Sequence, residues 1–444
     1  MTANALPASL WVYMGADRVG SLYPTDPLSF EYVPEWIGRK DPRPLQQEIP
    51  VVPGRIATPA LHAFFENLLP EGDQRKLISM RQQVASVFGL LATVGGDTAG
   101  SIVLVPEGEQ AAAAIYQDLT WEQVNALVHA DAASAREREA IEAAAAGMPR
   151  PRISVSGAQF KMLLLVGSNG LPRRPMGSSP STHILKPDMV RPEIRIFATA
   201  ANETLVMQTA RYCGLPTAPV SYQPVTQACL VQRYDRVLSS DGTLERLWQA
   251  DFCQLLGKPS DVKYELEGGP GFRDCYELLG MSAAPAVDRR QLLRWLFFNL
   301  YVGNHDSHAK NLAMVATSEG LRLAPFYDLM STRVYPGLGP SFAFRIAGES
   351  EPGKLRRTHL AALAAELGVA PRYVMQLATE LAAHIPPALE KAAAEIQPHI
   401  GHKQKVLVER IVRGIRNTVG QMSKRLLEPS GTDVAKRVRP GKNS

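Results

Sequence analysis

Between Gly303 and Asp328 the chain reads Gly-Asn-His-Asp-Ser-His-Ala-Lys-Asn, then Leu-Ala-Met-Val, a Ser-Glu-Gly turn, and Leu-Arg-Leu-Ala-Pro-Phe-Tyr-Asp. Asn311 to Val315 is apolar enough for a strand, Ser318 to Gly320 is turn chemistry, and Leu321 to Phe326 can run back antiparallel. Strands rise about 3.3 Å per residue, so two of nearly equal length return Asp328 to the side of Asn311. Asp306 then lies on the loop that enters the hairpin. The preceding segment, Asp288 to Leu300, carries Leu292, Leu293, Trp295, Leu296, Phe298 and Leu300, apolar on most sides. It predicts a buried helix, a rigid mount for the loop.

The spacing of the three polar residues suits phosphoryl transfer. Asp306 precedes Asn311 by the interval that separates catalytic base from metal-binding amide in protein-kinase catalytic loops, and Asp328 supplies a second carboxylate. On that reading Asn311 and Asp328 hold one Mg²⁺, while Asp306 takes the proton of an attacking hydroxyl. The plainer alternative makes all three turn and cap residues, because Asp and Asn bond readily to nearby backbone.

A phosphoryl-transfer site needs an upstream half that binds phosphates. Arg152 to Val166 places the small residues Ser156, Gly157 and Ala158 between two strand-like runs, where backbone N–H groups can reach a triphosphate. An ordinary hairpin turn fits the same residues. Lys186 follows a short apolar strand, and Asn202-Glu203 opens a helical pattern that Gly214 and Pro216 end. Glu203 is thus a candidate ion-pair partner for Lys186, or simply a first-turn carboxylate favoured by the helix dipole. Ala228 to Asp235 reads as a strand that joins two lobes, with Gln232, Arg233 and Tyr234 as backbone contacts for an adenine ring; Tyr234 also suits a core.

Taken together, these residues resemble the HipA family of serine/threonine-kinase toxins of HipBA toxin–antitoxin systems. The resemblance runs from Leu10 to about Leu427. It rests on ordered blocks: Tyr32-Val-Pro-Glu-Trp-Ile-Gly, Phe64-Phe-Glu-Asn-Leu-Leu-Pro, Gly96-Asp-Thr-Ala-Gly-Ser, Ser156-Gly-Ala-Gln-Phe-Lys, Gln254-Leu-Leu-Gly-Lys-Pro-Ser-Asp-Val-Lys-Tyr-Glu, Gly268-Gly-Pro-Gly, His308-Ala-Lys-Asn and Pro325-Phe-Tyr-Asp.

The resemblance implies an α+β, kinase-like two-lobed fold, with ATP and Mg²⁺ as cofactors. Asp306 is then the catalytic base, Asn311 and Asp328 are the metal ligands, and Lys186 meets the nucleotide phosphates. Ser156, Gly157, Ala158, Gln159, Phe160 and Lys161 form the phosphate loop, with His308 and Tyr327 also on the nucleotide side. Ser154 is the implied autophosphorylation site, where phosphate would place about −1.5 to −2 charges beside a loop that must receive another polyanion. Phe160 and Gln232 depart from the acidic residues common in relatives. Implied partners are a HipB-like helix-turn-helix antitoxin, through which DNA contact is indirect, and a Ser/Thr-bearing protein substrate of the translation machinery, an aminoacyl-tRNA synthetase by class.

Two rivals use the same residues. His305-Asp306 is a doublet of the kind found in metal-dependent phosphohydrolases, with His308 nearby and His183 distant. A kinase fold retained only as an inactive partner in a repressor complex is the other.

Composition narrows the class without choosing it. A net charge of +5 over 444 residues is too small for electrostatic DNA binding by the whole surface, so any basic surface is local. Lys403 to Arg425 reads as a solvated helix face and Lys436 to Lys442 as a disordered end, with a nucleic-acid contact as the alternative for each. Cysteines at 213, 229, 253 and 275 lack zinc or disulfide spacing. With no membrane-length apolar run and no leader-like start, the expectation is a soluble, cytoplasmic protein.

The expected organisation is an N-terminal α+β subdomain (1–108) and a helical connector (109–150). A strand-rich nucleotide lobe (151–245), a mainly helical lobe (246–430) and a basic tail (431–444) follow. Within these, Leu61 to Phe88 is expected to be helical and Gly167 to Ser181 a polar loop.

Overall fold

The computed structural model describes residues 6–109, 113–129, 134–150, 159–240 and 242–427. Ser154, Ser156, Gly157, Ala158 and the tail 431–444 lie outside the described residues.

The N-terminal unit is a five-stranded antiparallel sheet in the order Arg55–Ile56, Ser29–Tyr32, Asp17–Tyr23, Leu10–Met14, Ile102–Pro106. Alternate residues such as Leu10 and Val12, or Phe30 and Tyr32, turn inward and are buried. The expected helical stretch from Leu61 to Phe88 is three helices, Pro59–Glu66, Gly72–Gln82 and Val87–Val94. Pro70 cannot continue the first, and Gln83 takes a left-handed conformation that ends the second. Thr58 caps Pro59–Glu66 by accepting the Leu61 N–H.

The lobe expected to take the nucleotide is a six-stranded antiparallel sheet ordered Val220–Gln223, Ala228–Gln232, His183–Pro187, Met162–Val166, Pro172–Met176, Ile115–Asp118. Two expectations fail here. The connector is not wholly helical, because Ile115–Asp118 adds the last strand before helices Trp121–Val128 and Ala135–Ala144. Val124 and Ile141 from those helices bury against Leu164, Leu185 and Leu230, so the connector belongs to this lobe's core. The polar loop at 167–181 contains the strand Pro172–Met176, which pairs with Met162–Val166 over only two residue pairs, so its prolines interrupt little of the inner ladder.

Helix Thr199–Tyr212 begins three residues before the expected Asn202 and lies between the sheet and helix Pro371–Ile396. The C-terminal lobe is built on helix Pro285–Val302, buried on nearly every side from Leu292 onward, as its composition predicts. A small sheet ordered Gln249–Asp251, Ala313–Thr317, Gly320–Leu323 carries the hairpin. In His402–Leu427 one face, including Leu407, Ile411, Ile415 and Met422, is buried, while Lys403, Lys405, Arg410, Arg413 and Arg416 face solvent. One continuous apolar core runs from Leu10 in the N-terminal sheet to Leu426 in that last helix. All four cysteines are buried and free. Among the described residues no single helix is long and apolar enough to cross a membrane.

Candidate active site

Helix Pro285–Val302 ends at Gly303, whose φ of +70° gives the left-handed cap that turns the chain into the 304–311 loop. A side chain there would also collide with Arg333 Cβ, at 2.9 Å from an added Cβ. Asn311 lies on a short 3-10 turn, Ala309–Asn311, so the first hairpin strand, Ala313–Thr317, starts two residues later than the sequence suggests, and the second, Gly320–Leu323, ends three residues earlier. The return is completed differently: Phe326 N–H donates to the Pro216 carbonyl and Ala218 N–H to the Phe326 carbonyl. That bridge to the nucleotide-side lobe fixes Asp328, itself at φ +59°, a left-handed conformation that Asp tolerates better than most residues.

Asp306, Asn311 and Asp328 line one cavity of about 550 Å³ together with Lys161, Lys186, Gln232, Arg233, Tyr234, His308 and Tyr327. The Asn311 side-chain amide donates to the Asp306 carbonyl at 2.9 Å, which orients its own oxygen. Asp306 is 58% exposed at the mouth. Its pKa is raised by enclosure within the cleft, with the Tyr264 hydrogen bond and Lys263 acting the other way.

Lys186 Nζ donates to Glu203 Oε1 at 2.5 Å and to Asp328 Oδ1 at 2.8 Å. Glu203 therefore stands in the second turn of its helix, paired with Lys186. Burial works against the Lys186 charge, but Asp328 and Glu203 outweigh it and hold its pKa above the usual lysine range. Burial also opposes charge on Asp328, yet Lys186 and Lys161 hold it well below the usual carboxylate range. Glu203 is pushed up by burial despite Lys186, and its Oε2 has no hydrogen-bond partner among the described residues. Burial and the neighbouring Lys186 lower Lys161 to about 8. Two lysines facing two carboxylates in one cavity suit a polyanion accompanied by a cation. Asn311 and Asp328 fit Mg²⁺ in kind: hard oxygen donors, few in number, which leaves room for substrate phosphates and water.

Ile184, Val231 and Ala218 also line the cavity, as does Tyr327, which stacks on Tyr234 at 6.0 Å between ring centroids. The hinge strand is partly committed elsewhere. Gln232 N–H donates to Pro219 O and Arg233 N–H to Thr182 O, so neither is available to a purine. The Arg233 side chain points away into a buried cluster, where Asp97, Arg233, Asp235, Arg236 and Ser181 tie the N-terminal unit to the hinge. Gln159 lines the cavity and donates to the Pro187 carbonyl. Phe160 is 46% exposed and does not line the cavity.

His305 Nδ1 faces the Gly339 carbonyl at 3.3 Å, and His183 bonds Thr182 Oγ1 at 2.8 Å. Among the described residues no group of three or more His, Cys, Asp or Glu is placed to hold a metal ion. Sequence reasoning assigned no role to Asn67, Glu71, Lys263, Tyr264 and Lys310, all of which line the same cavity. The signal was present, since all five fall in or beside quoted blocks, but no spacing rule connects segments so far apart.

A two-lobed α+β chain with a lysine–glutamate pair in the upper lobe and an acid–amide–acid set below it has the architecture of a kinase-like phosphotransferase. A model of the HipA-like C-terminal domain matches residues 153–389 and a model of the HipA N-terminal domain matches residues 10–105. Y4mE of Sinorhizobium fredii, whose name assigns it provisionally to the kinases, is 38% identical over 324 residues, covering 72% of this chain and 76% of its own. The serine/threonine-protein kinase toxin HipA of Shewanella oneidensis is 26% identical, with 89% of this chain and 92% of that one covered. A solved structure of HipA from Shewanella oneidensis with HipB and operator DNA superposes with a TM-score of 0.79 at 24% identity, over 97% of this chain and 100% of that one, a likeness of fold. The chain belongs to the HipA family of protein kinases.

Proposed function

We propose that the chain transfers the γ-phosphoryl group of Mg-ATP to a serine or threonine hydroxyl of a protein, and acts as the toxin of a HipBA-like toxin–antitoxin system. The observation that carries this reading is the Lys186 bridge between Glu203 and Asp328, beside Asp306 and Asn311 in one cavity. Lys186 and Lys161 orient the phosphates, and Glu203 keeps Lys186 in place. Asp306 accepts the proton of the acceptor hydroxyl as that oxygen attacks phosphorus and ADP departs. Mg²⁺, when bound, would be held by Asn311 and Asp328 and would neutralise charge on the transferring phosphates. Tyr327 and Tyr234 wall the purine end. With Gln232 and Arg233 N–H groups committed to backbone, hinge contact falls to Tyr234 and to carbonyl oxygens.

The partner is a HipB-like antitoxin, as the complex of the Shewanella oneidensis protein suggests, and DNA contact is through that partner. The substrate class is a translation component, an aminoacyl-tRNA synthetase, in the cytoplasm. Ser154 is the regulatory autophosphorylation site. Incubation with γ-labelled ATP, Mg²⁺ and a host lysate should yield one dominant phosphorylated protein plus phosphate on Ser154, both located by mass spectrometry. Absence of label on any protein would favour the inactive-partner reading. Phosphate found on the chain only at other positions would remove Ser154 from its role.

A further inference from the structure

The N-terminal unit enters the cleft through the end of helix Pro59–Glu66 and the residues that follow it. Glu66 accepts the Ser260 N–H at 3.0 Å and the Ser260 hydroxyl at 2.8 Å, and the Phe64 carbonyl accepts from Gln254 Nε2 at 2.9 Å. Asn67 donates to the Lys258 carbonyl at 2.9 Å. Its Oδ1 accepts from Lys310 Nζ at 2.5 Å, its carbonyl accepts from the same ammonium at 3.1 Å, and Asp251 completes the set at 3.0 Å. Glu71 Oε2 accepts from Lys263 Nζ at 2.5 Å, and its other oxygen lies 4.0 Å from Lys310.

Each lysine adjoins a residue of the reacting centre. Beside Lys263 stands Tyr264, whose hydroxyl donates to Asp306 Oδ1 at 2.5 Å and whose ring meets His308 edge-on at 5.0 Å. Beside Lys310 stands Asn311, whose amide donates to the Asp306 carbonyl, and the Lys310 carbonyl itself accepts from the Tyr327 hydroxyl at 2.9 Å. Asn67, Glu71 and Lys310 are 1%, 8% and 5% exposed. The N-terminal unit already shares a continuous apolar core with the rest of the chain, so docking does not require buried charge. Buried ion pairs add little net stability compared with apolar packing, whereas they fix geometry where partners are fully satisfied.

We infer that Asn67 and Glu71 are positioning residues for phosphoryl transfer: the N-terminal unit grips Lys310 and Lys263, and through them holds Asn311 and Tyr264 against Asp306. Tyr264 then occupies one oxygen of the Asp306 carboxylate and leaves the other for the acceptor hydroxyl. On this account the N-terminal unit is a working part of the catalytic centre. The inference rests on the reading of Asp306 as proton acceptor.

The test uses the full chain and follows ADP formation from Mg-ATP, with nucleotide affinity and the unfolding midpoint measured on the same samples. A misplacement of 1 Å costs about 100-fold in rate, so Glu71→Gln should lower kcat by about tenfold or more with little change in the KM for ATP. Glu71→Asp, which keeps the charge, should recover part of the loss. Tyr264→Phe should lower kcat alone, and adding Glu71→Gln to it should cost less than Glu71→Gln costs the wild type, because part of the Glu71 effect runs through Tyr264. A folded Glu71→Gln chain with wild-type kcat, a loss confined to KM, or strictly additive losses in the double variant would overturn the inference. Should Glu71→Gln fail to fold, Lys263→Met replaces it with the same expected and contrary results. If Asp306→Asn still turns over at the wild-type rate, the base assignment falls and this inference with it. If Asp306→Asn is inactive while folded Glu71→Gln is unimpaired, only the inference falls.

Discussion

Replacing Lys186 by methionine removes the ammonium that donates to both Glu203 and Asp328, whose side chains are 1% and 35% exposed. Asp328 can turn to solvent and retains Lys161 as a neighbour, so its share of the cost is small. Glu203 cannot. Breaking a buried pair from one side costs about 3–5 kcal/mol, and most of that is the uncompensated carboxylate. Lys186→Met should therefore lose about 3 kcal/mol or more in denaturant unfolding at pH 8, in addition to its nucleotide affinity. Adding Glu203→Gln should return about 2 kcal/mol, because the buried charge is gone. The pH dependence follows from the direction of the Glu203 shift. Burial already raises its pKa, and loss of Lys186 raises it further. Below the unfolded carboxyl pKa both states are protonated and the penalty is absent. It grows as pH climbs from there to the folded pKa, then levels off. A double variant no more stable than Lys186→Met, or a Lys186→Met deficit independent of pH between 5 and 8, would refute this reasoning.

The Asp97 cluster gives a second stability prediction, since Asp97 is fully buried and accepts from Ser181, Arg233 and Arg236. Asp97→Ala should cost about 3–5 kcal/mol and weaken ATP binding through the hinge, checked by denaturant unfolding and nucleotide titration; an unchanged midpoint would count against it. For the metal, Asp328→Asn should raise the Mg²⁺ concentration needed for half-maximal ADP formation by about tenfold or more, as one charged oxygen ligand is lost. The same variant with an unaltered Mg²⁺ dependence would remove Asp328 from the ligand set.

What the sequence made legible follows chain proximity. Asp306, Asn311 and Asp328 lie within one short stretch whose turn and strand patterns can be read directly, and the buried mount before it shows in its apolar residues. Lys186 and Glu203 are legible as a candidate pair because one lies near the end of a strand and the other early in the helix that follows it. The details that failed are those set by partners: Asn311 sits on a 3-10 turn because the 304–311 loop closes on itself, and the return to Asp328 is secured by Pro216 and Ala218. Pro172 and Pro175 hid a strand, since proline signals loops and only the pairing of 115–118 with 173–176 reveals it. The commitment of the Arg233 side chain to Asp97, and of Lys310 to Asn67, spans 136 and 243 residues of chain. Local periodicity carries no trace of such contacts.

Single-turnover transfer from Mg-ATP by Asp306→Asn tests the central claim most directly. Oδ1 of Asp306 already accepts from Tyr264 and its backbone carbonyl from Asn311, so the amide fits the same space while losing proton affinity. The variant should fold, bind nucleotide as the wild type does, and form ADP and phosphoprotein at least about 100-fold more slowly, the contribution expected of a general base. Transfer at the wild-type rate by a folded, nucleotide-bound Asp306→Asn chain would contradict the account.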